Sequence, residues 1–445
     1  MVMQEKPRSV PLVPAARPRS QRTDSAADRA ARSAAFAVLR RMRNEELILV
    51  ENGREHRFGS ISDADPLSAT VRVHHPAFYR ALLTGGSRAL ALSHIEGDWD
   101  CDDTVTLTRI ACRNQGFTDA LLTALRPVLT PLQRGLRWFD RNTPARSVRR
   151  IRQHYDLGND FYSLMLDETM MYSCGVYADA QMSLHQAQIA KLERVCHWLR
   201  LTPDDHVIEI GTGWGGFAMH AAQRYGCRVT TTTISHEQHA HAVERVNAAG
   251  LRGRVTVLLE DYRDLRGSYD KLVSIEMIEA VGSQYFDSFF STCSRLLAPD
   301  GLMFLQAIVT PHRLFRVMRY GRGFANDVVF PGGCLPSNTA MLDCVGRVTD
   351  MRLIGFEDIT PGYPRTLLAW RDNVDRNIER TRAMGFDERF VRMWRLYLSF
   401  CAGAFMERRI NDVQLLLAKP AFRDERVRPD VAIAQRMAPE SSAAS

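Results

Sequence analysis

Long apolar runs are missing. No stretch of the 445 residues approaches eighteen uninterrupted apolar positions, which excludes a membrane-spanning helix. The opening "MVMQEKPRSVPLVPAARPRS" lacks the apolar core of a secretory signal, so a cytoplasmic protein is the expectation. None of the nine cysteines belongs to a C-x-x-C pair. A structural zinc site and a disulfide framework are therefore not indicated, no metal is expected, and the thiols read as reduced and mostly buried.

Charge is present in excess and unevenly placed. The net charge is +7, and residues 1–43 hold ten Lys or Arg against three acids. With its Ala, Pro and Ser, the segment 1–45 is expected to be a mobile arm, and 426–445 a disordered tail. A second basic run, residues 116–152, interleaves Arg126, Arg134, Arg137, Arg146, Arg149, Arg150 and Arg152 with Leu132, Leu136, Trp138 and Phe139. Such a linker suits an anionic surface, either nucleic acid or phospholipid headgroups, and it also fits a plain solvated face.

Between arm and linker, residues 46–115 form a small α+β accessory domain. "ELILVENGREHRFGS" reads as a hairpin about Asn52 and Gly53, and the following segment as a strand leading into helical turns. No catalytic spacing occurs there, so a docking role is expected. From residue 153 to about 425 the pattern changes. "SLHQAQIAKLERVCHWL" opens with a capping box, Ser183 and Gln186, and a second box is read at Ser235 and Gln238, on a helix that Gly250 ends. Between and after these helices, "HVIEI", "CRVTTTTI", "RVTVLLE", "KLVSIEM", "LMFLQAIV", "RLIGFEDI" and "VQLLLAKP" are strands. Strands alternating with helices imply parallel pairing in a doubly wound α/β sheet, with the ligand at the strands' carboxyl ends.

The first of these strands runs into "EIGTGWGG". Glycines there let the chain turn and approach a ligand closely. Gly211, Gly213 and Gly216 also satisfy G-x-G-x-x-G, but a dinucleotide fold needs an acid at the end of the second strand, where this chain has "TTTTIS". The form E-x-G-x-G-x-G, from Glu209 through Gly215, resembles motif I of the class I S-adenosylmethionine (SAM) methyltransferases. Nucleic-acid methyltransferases carry Asn or Asp, Pro-Pro and an aromatic after the fourth strand; here "SIEMIEAVG" stands instead, which turns the basic linker towards lipid and away from nucleic acid.

Taken in order, "HYDLGNDFY", "MYSCGVY", "EIGTGWGG", "TISHEQ", "EDYRDL", "IEAVG", "FPGGCLPS" and "VQLLLAKP" resemble the cyclopropane-fatty-acyl-phospholipid synthases and their mycolic-acid-modifying relatives, over about residues 88–420. The resemblance implies a class I, Rossmann-like SAM-dependent methyltransferase acting on the cis double bond of unsaturated phospholipid acyl chains at the inner membrane surface, with a homodimer possible. It assigns Glu209, Gly211, Gly213 and Gly215 to the methionine and ribose part of SAM, Thr233 and Gln238 to second-strand contacts, and Asp261 with Tyr262 to the adenosine. It makes "HYDLGNDFYSLMLDETMMYSC" a lid, with Tyr172 and Ser173 facing SAM and the Phe, Leu and Met residues lining an acyl path. It places a bicarbonate ion, as base, among Cys174, Glu279, Gln306, Ile308 and Tyr363. Two departures stand out: Gln306 occupies a position where His is usual, and Ala280 follows Glu279 where "EH" is common. An amide cannot titrate near neutrality, so a methylene- or methyl-branched product, or a silent SAM- and lipid-binding protein, stands beside ring formation.

Overall fold

The computed structural model describes residues 25–43, 45–61, 65–84, 86–114, 158–319, 323–329 and 332–423. The basic stretch 116–152 and the tail 426–445 lie outside the described residues.

Asn52 and Gly53 both adopt positive φ, 49° and 74°, as a two-residue type I′ turn requires. They close β1 (Glu46–Glu51) on β2 (Arg54–Gly59) with Glu51 opposite Arg54. β3 (Ser68–Val73) joins β1 in parallel and β4 (Trp99–Cys101) joins β3 antiparallel, giving the order β2-β1-β3-β4. Around this sheet lie α1 (Ala26–Leu39), α2 (Ala77–Thr84), α3 (Gly86–Ile95) and α4 (Thr104–Arg113).

The position of α1 corrects the expected arm where the two overlap, at Ala26–Leu39, and residues 1–24 lie outside the described residues. Ser25 caps the helix reciprocally with Asp28, Ala35 and Leu39 are buried, and Phe36 meets Phe58 and Tyr79 edge-on. Alanine and arginine are both strong helix formers, so the composition that reads as an arm is equally that of a helix once Ala35 and Leu39 recur one turn apart.

The larger domain begins with α5 (Asn159–Met165) and α6 (Leu184–Leu199). It continues through β5 (His206–Ile210), α7 (Gly216–Tyr225), β6 (Arg228–Thr233), α8 (His236–Ala248), β7 (Val255–Leu259), β8 (Tyr269–Ile275), α9 (Phe286–Leu296) and β9 (Leu297–Val309). It ends with α10 (His312–Met318), α11 (Asn338–Val348), β10 (Arg352–Asp358), α12 (Gly362–Arg376), α13 (Ile378–Ala383), α14 (Glu388–Met406) and β11 (Asn411–Ala418). The seven strands order as β10-β11-β9-β8-β5-β6-β7. Apolar layers cover both faces, one built on Leu272, Phe289 and Leu305, the other on Val207, Phe217 and Phe304.

The all-parallel expectation is corrected at β11, which runs antiparallel to both β9 and β10. The cause lies in the connection: α12 leaves the carboxyl edge of β10 and α14 returns to it. Arg408, just past α14, binds Asp358, at the end of β10, at 2.7 Å. The chain therefore re-enters the sheet from the opposite end. The switch point falls between β5 and β8, whose crossovers run to opposite sides.

α14 also carries the small domain. Arg392 bonds Asp100 at 2.6 Å and the His94 carbonyl, while Arg109 and Arg113 of α4 grip Glu407 at 2.7 and 2.9 Å. At the crossing of α4 and α14, a Cβ on Gly403 would meet Thr108 Cβ at 2.7 Å and the Val105 carbonyl at 2.8 Å. Gly403→Ala must push backbone apart, which costs about 1–3 kcal/mol; thermal unfolding should show a midpoint lower by roughly 2–6 °C. Gly253→Ala, whose added carbon meets nothing within 4 Å, is the control. Equal midpoints for the two variants would show that the helix crossing tolerates a methyl.

Candidate active site

β5 delivers Glu209 and Ile210 to a turn that only glycine negotiates easily. Gly211 and Gly213 have φ of 104° and 52°, and a Cβ on Gly211 would press on Met277 at 3.1 Å. The turn forms one wall of a cavity of about 1140 Å³, its mouth included. Thr233 and Gln238 line it from β6 and α8, Asp261 and Tyr262 from the loop after β7, Glu276 and Met277 from the end of β8, and Tyr172 and Ser173 from across the top.

Each wall is fixed by its neighbours. The Thr233 hydroxyl donates to Gln238 Oε1 at 2.8 Å, which corrects the second capping box: Ser235 accepts from the Gln238 N–H, but the Gln238 side chain turns to the cavity wall instead of back to Ser235. Asp261 accepts both Nε and Nη2 of Arg263, at 2.8 and 2.5 Å. Burial raises its pKa, but these bonds and the guanidinium charge outweigh burial and hold it below the usual range. Glu209 has the opposite balance. Burial pushes it up to about 8, against the 2.6 Å bond from the Thr231 hydroxyl and the charge of Lys191.

The lid is pinned from three sides. Trp214, inside the glycine loop, donates Nε1 to Asn159 at 2.8 Å and packs on Tyr162. Arg245 of α8 donates to the carbonyls of Trp214 and Glu168 at 2.7 and 2.9 Å. Gly216 has the Thr169 carbonyl 2.5 Å and Met171 Sδ 2.6 Å from where a Cβ would sit, so a side chain there would lift the lid. Ser173 is held from α6, its carbonyl by Gln188 at 2.8 Å and its hydroxyl by the buried Lys191 at 2.5 Å. Burial lowers Lys191 to about 8, against the pull of Glu276.

Behind the cavity lies a cluster of buried acids and donors. Glu276 Oε1 accepts the Cys174 backbone N–H at 2.9 Å and Gln306 Nε2 at 2.8 Å, while Oε2 accepts the Tyr363 hydroxyl. Gln306 also donates to Asp412 Oδ2 at 3.0 Å and accepts from Gln414 at 3.0 Å across the β9–β11 ladder. Glu279, on a 3₁₀ turn, accepts the Ile308 N–H at 2.5 Å with Oε1. Its Oε2 has no partner among the described residues. Burial and the neighbouring Glu276 push Glu279 up to about 8. Burial also drives the Cys174 thiol and the Tyr363 phenol well above their ordinary values, so both stay protonated.

A model of the mycolic acid cyclopropane synthetase family matches residues 142–415. The chain is 37% identical over 77% of its length to the tuberculostearic acid methyltransferase of Mycobacterium tuberculosis, covering 81% of that protein. It is 35% identical over 78% of its length to the cyclopropane-fatty-acyl-phospholipid synthase of Escherichia coli, covering 86% of it. The chain belongs to this family.

Among solved structures, the mycolic acid cyclopropane synthase CmaA1 complexed with SAH and CTAB superposes with a TM-score of 0.57 at 30% identity, over 61% of this chain and 98% of that one. The protein is thus a SAM-dependent methyltransferase of the cyclopropane-fatty-acyl-phospholipid synthase family, with the class I fold expected from its sequence.

Of the residues the family resemblance assigns to SAM, Tyr172, Ser173, Glu209, Gly211, Gly213, Thr233, Gln238, Asp261 and Tyr262 meet around one cavity. Gly215 caps α7 with φ 85° and is not among the residues that line the cavity. The cavity fits SAM, since Glu209 is a buried acid that a cationic ligand would ionise, and Asp261 and Tyr262 stand where a nucleoside can be flanked. The five residues assigned to the base site, Cys174, Glu279, Gln306, Ile308 and Tyr363, also meet, but behind the cavity. Their donors do not fit a bicarbonate ion: those of Cys174, Gln306 and Tyr363 go to Glu276, and that of Ile308 to Glu279. Of the lid, Met170 and Met171 face the cavity, whereas Phe161, Tyr162, Leu164 and Met165 are buried, three of them in an aromatic core with Phe390 and Trp394.

Sequence reasoning missed Glu276, Asp412 and Lys191. Lys191 and Gln188 lie on the buried stripe of α6 with Leu192 and Val195, a polar pair in apolar register. Asp412 and Gln414 alternate with Val413 and Leu415 on a strand buried on both faces, which is itself a sign of an internal polar site.

The state of Glu209 yields a pH dependence. A cation beside a buried acid favours its charged form, so SAM binding lowers the Glu209 pKa and releases a proton wherever the free protein holds one, below about 8. Affinity should rise with pH by up to about tenfold per unit and level off near pH 8. Calorimetric titration at pH 6, 7 and 8 checks this, with Glu209→Gln giving a flatter profile. A wild-type profile as flat as the variant's would remove Glu209 from the binding site.

Proposed function

We propose that this enzyme transfers the methyl carbon of SAM to the cis double bond of an unsaturated phospholipid acyl chain and that a cyclopropane ring closes. The observation that carries the reading is the join at Glu276, where a cavity suited to the donor backs onto a buried cluster of acids able to take a proton. SAM supplies an electrophilic methyl group. An alkene is a weak nucleophile, so the chain's own task is to hold the double bond in line and keep water out. Tyr172, set against Trp370 and Tyr162, offers a π face towards positive charge developing on the substrate. Met170 and Met171 give the wall an adaptable apolar surface.

A methylene- or methyl-branched product is the second reading. Gln306 favours it, because the amide cannot shuttle a proton as a histidine would, and the tuberculostearic acid methyltransferase is as similar to this chain as the ring-forming synthase. The substrate places the enzyme at the inner membrane surface, where the basic residues 116–152 would meet anionic headgroups. No helix among the described residues is long and apolar enough to cross a membrane.

Purified enzyme with SAM and vesicles of a cis-monounsaturated phospholipid should give a product heavier by one CH₂. Loss of all olefinic proton signals marks the ring, and a terminal methylene signal marks the branched product. SAM binding with no mass gain would leave a silent homologue. Vesicle binding should need anionic lipid and weaken with salt, since surface charges are screened within about 10 Å at 0.1 M.

A further inference from the structure

Resting on the methyl-transfer reading, we infer that the Glu276 carboxylate is the resident base of this site, occupying the place that the family resemblance reserves for a bicarbonate ion.

Three of the five residues assigned to that ion, Cys174 through its backbone N–H, Gln306 through Nε2 and Tyr363 through its hydroxyl, converge on the two Glu276 oxygens. An anion cradle is therefore complete here, but its anion is tethered to the chain. The tether is strained. Glu276 has φ of +48°, one of five non-glycine residues with positive φ among the described residues, while its N–H is fixed on the Gln306 carbonyl at 2.9 Å. A glycine would take this conformation freely, so the side chain is what the position retains. Glu276 is also the one member of the cluster that lines the SAM cavity, with Tyr172, Ser173 and Gly211.

The hydrogen bonds fix the protonation state. A backbone N–H and an amide N–H₂ can only donate, and with the phenol they satisfy an ionised carboxylate. Asp412, whose Oδ1 has no hydrogen-bond partner among the described residues, is pushed well above the usual range by burial and by Glu276, so it holds the proton of the pair. The other ionisable groups facing Glu276 are Lys191, Cys174, Glu279 and Tyr363.

The step balances with no external base. After methyl transfer, a C–H bond of the new methyl group breaks and its proton goes to a Glu276 oxygen. The freed electron pair forms the bond to the cationic carbon and closes the ring. If a hydride shifts first, the same proton loss gives the exocyclic methylene, so one base serves either product. Gln306 then makes sense as an orienting amide, since a titrating side chain is redundant beside a carboxylate that titrates.

The test compares wild type, Glu276→Gln and Glu276→Gly in argon-purged, bicarbonate-free buffer and with added sodium bicarbonate, alongside calorimetric titration of bicarbonate into each. Wild type should turn over equally in both buffers and give no binding heat. Glu276→Gln should lose at least about 100-fold in kcat at saturating SAM while still binding SAM. Glu276→Gly should lose as much, bind bicarbonate, and recover at least about tenfold in rate when it is added. Bicarbonate binding to wild type, a bicarbonate-dependent wild-type rate, or near-normal turnover by Glu276→Gln overturns the inference. A wild type that methylates no lipid overturns the proposed function instead, while the bicarbonate titrations still decide what occupies the cradle.

Discussion

A single carboxylate at the end of β8 is the constraint from which the site is built. Holding Glu276 in the left-handed region costs about 1–3 kcal/mol, and the cost is met by bonds that tie four segments together. Cys174 brings the end of the lid, Gln306 the carboxyl-terminal part of β9, and Tyr363 the first turn of α12. Gln306 then links to Asp412 and Gln414 of β11. The antiparallel insertion of β11 is thus more than a topological detail, because it sets two polar side chains against the same amide. Remove the carboxylate and the Cys174 N–H and the Tyr363 hydroxyl lose their buried acceptor, while Gln306 Nε2 keeps only Asp412 and the Cys174 carbonyl, an arrangement that proteins avoid.

The charge balance around it explains why the surroundings stay neutral. Glu209, Glu276, Glu279 and Asp412 are all raised by burial, and Lys191 is the cation that acts on three of them. One ammonium cannot compensate four anions in a poorly solvated interior. Protons therefore remain on the acids with the fewest donors. Glu209 has one side-chain hydroxyl bond and Glu279 one backbone N–H; Glu276, with three donors, is the natural seat of the negative charge. A positively charged ligand such as a sulfonium is then the species this environment favours, through a fixed anion and aromatic faces.

The sequence discloses the fold through periodicity and glycine placement, and most of the SAM wall through motif order. Glu209, Gly211 and Gly213 could be read because a strand, a turn and a helix each leave a local signature. Glu276 could not be read that way. Its partners lie 30, 87 and 102 residues away, and nothing in "SIEM" separates a strained internal acid from a surface one. The different role of Gly215, which caps α7, has the same origin: glycines two residues apart share a motif but serve different turns. The helix α1 was hidden for another reason, since arginine-rich composition says little until its apolar spacing is counted.

α14 connects the site to the small N-terminal domain. Its Phe390 and Trp394 pack edge-on against Phe161 of the lid helix at 5.1 and 5.3 Å, and Trp394 donates to Met165 Sδ. On another face, Arg389 and Arg392 bind Glu96, His94 and Asp100 of the small domain. A displacement of that domain must therefore be transmitted to α14 or break several charge-assisted bonds. Densely packed aromatic rings resist compression, so the easier response is for the lid helix to follow α14. The positions of the lid helix and the small domain are in this way parts of one mechanical unit, since the helix that holds the one also anchors the other.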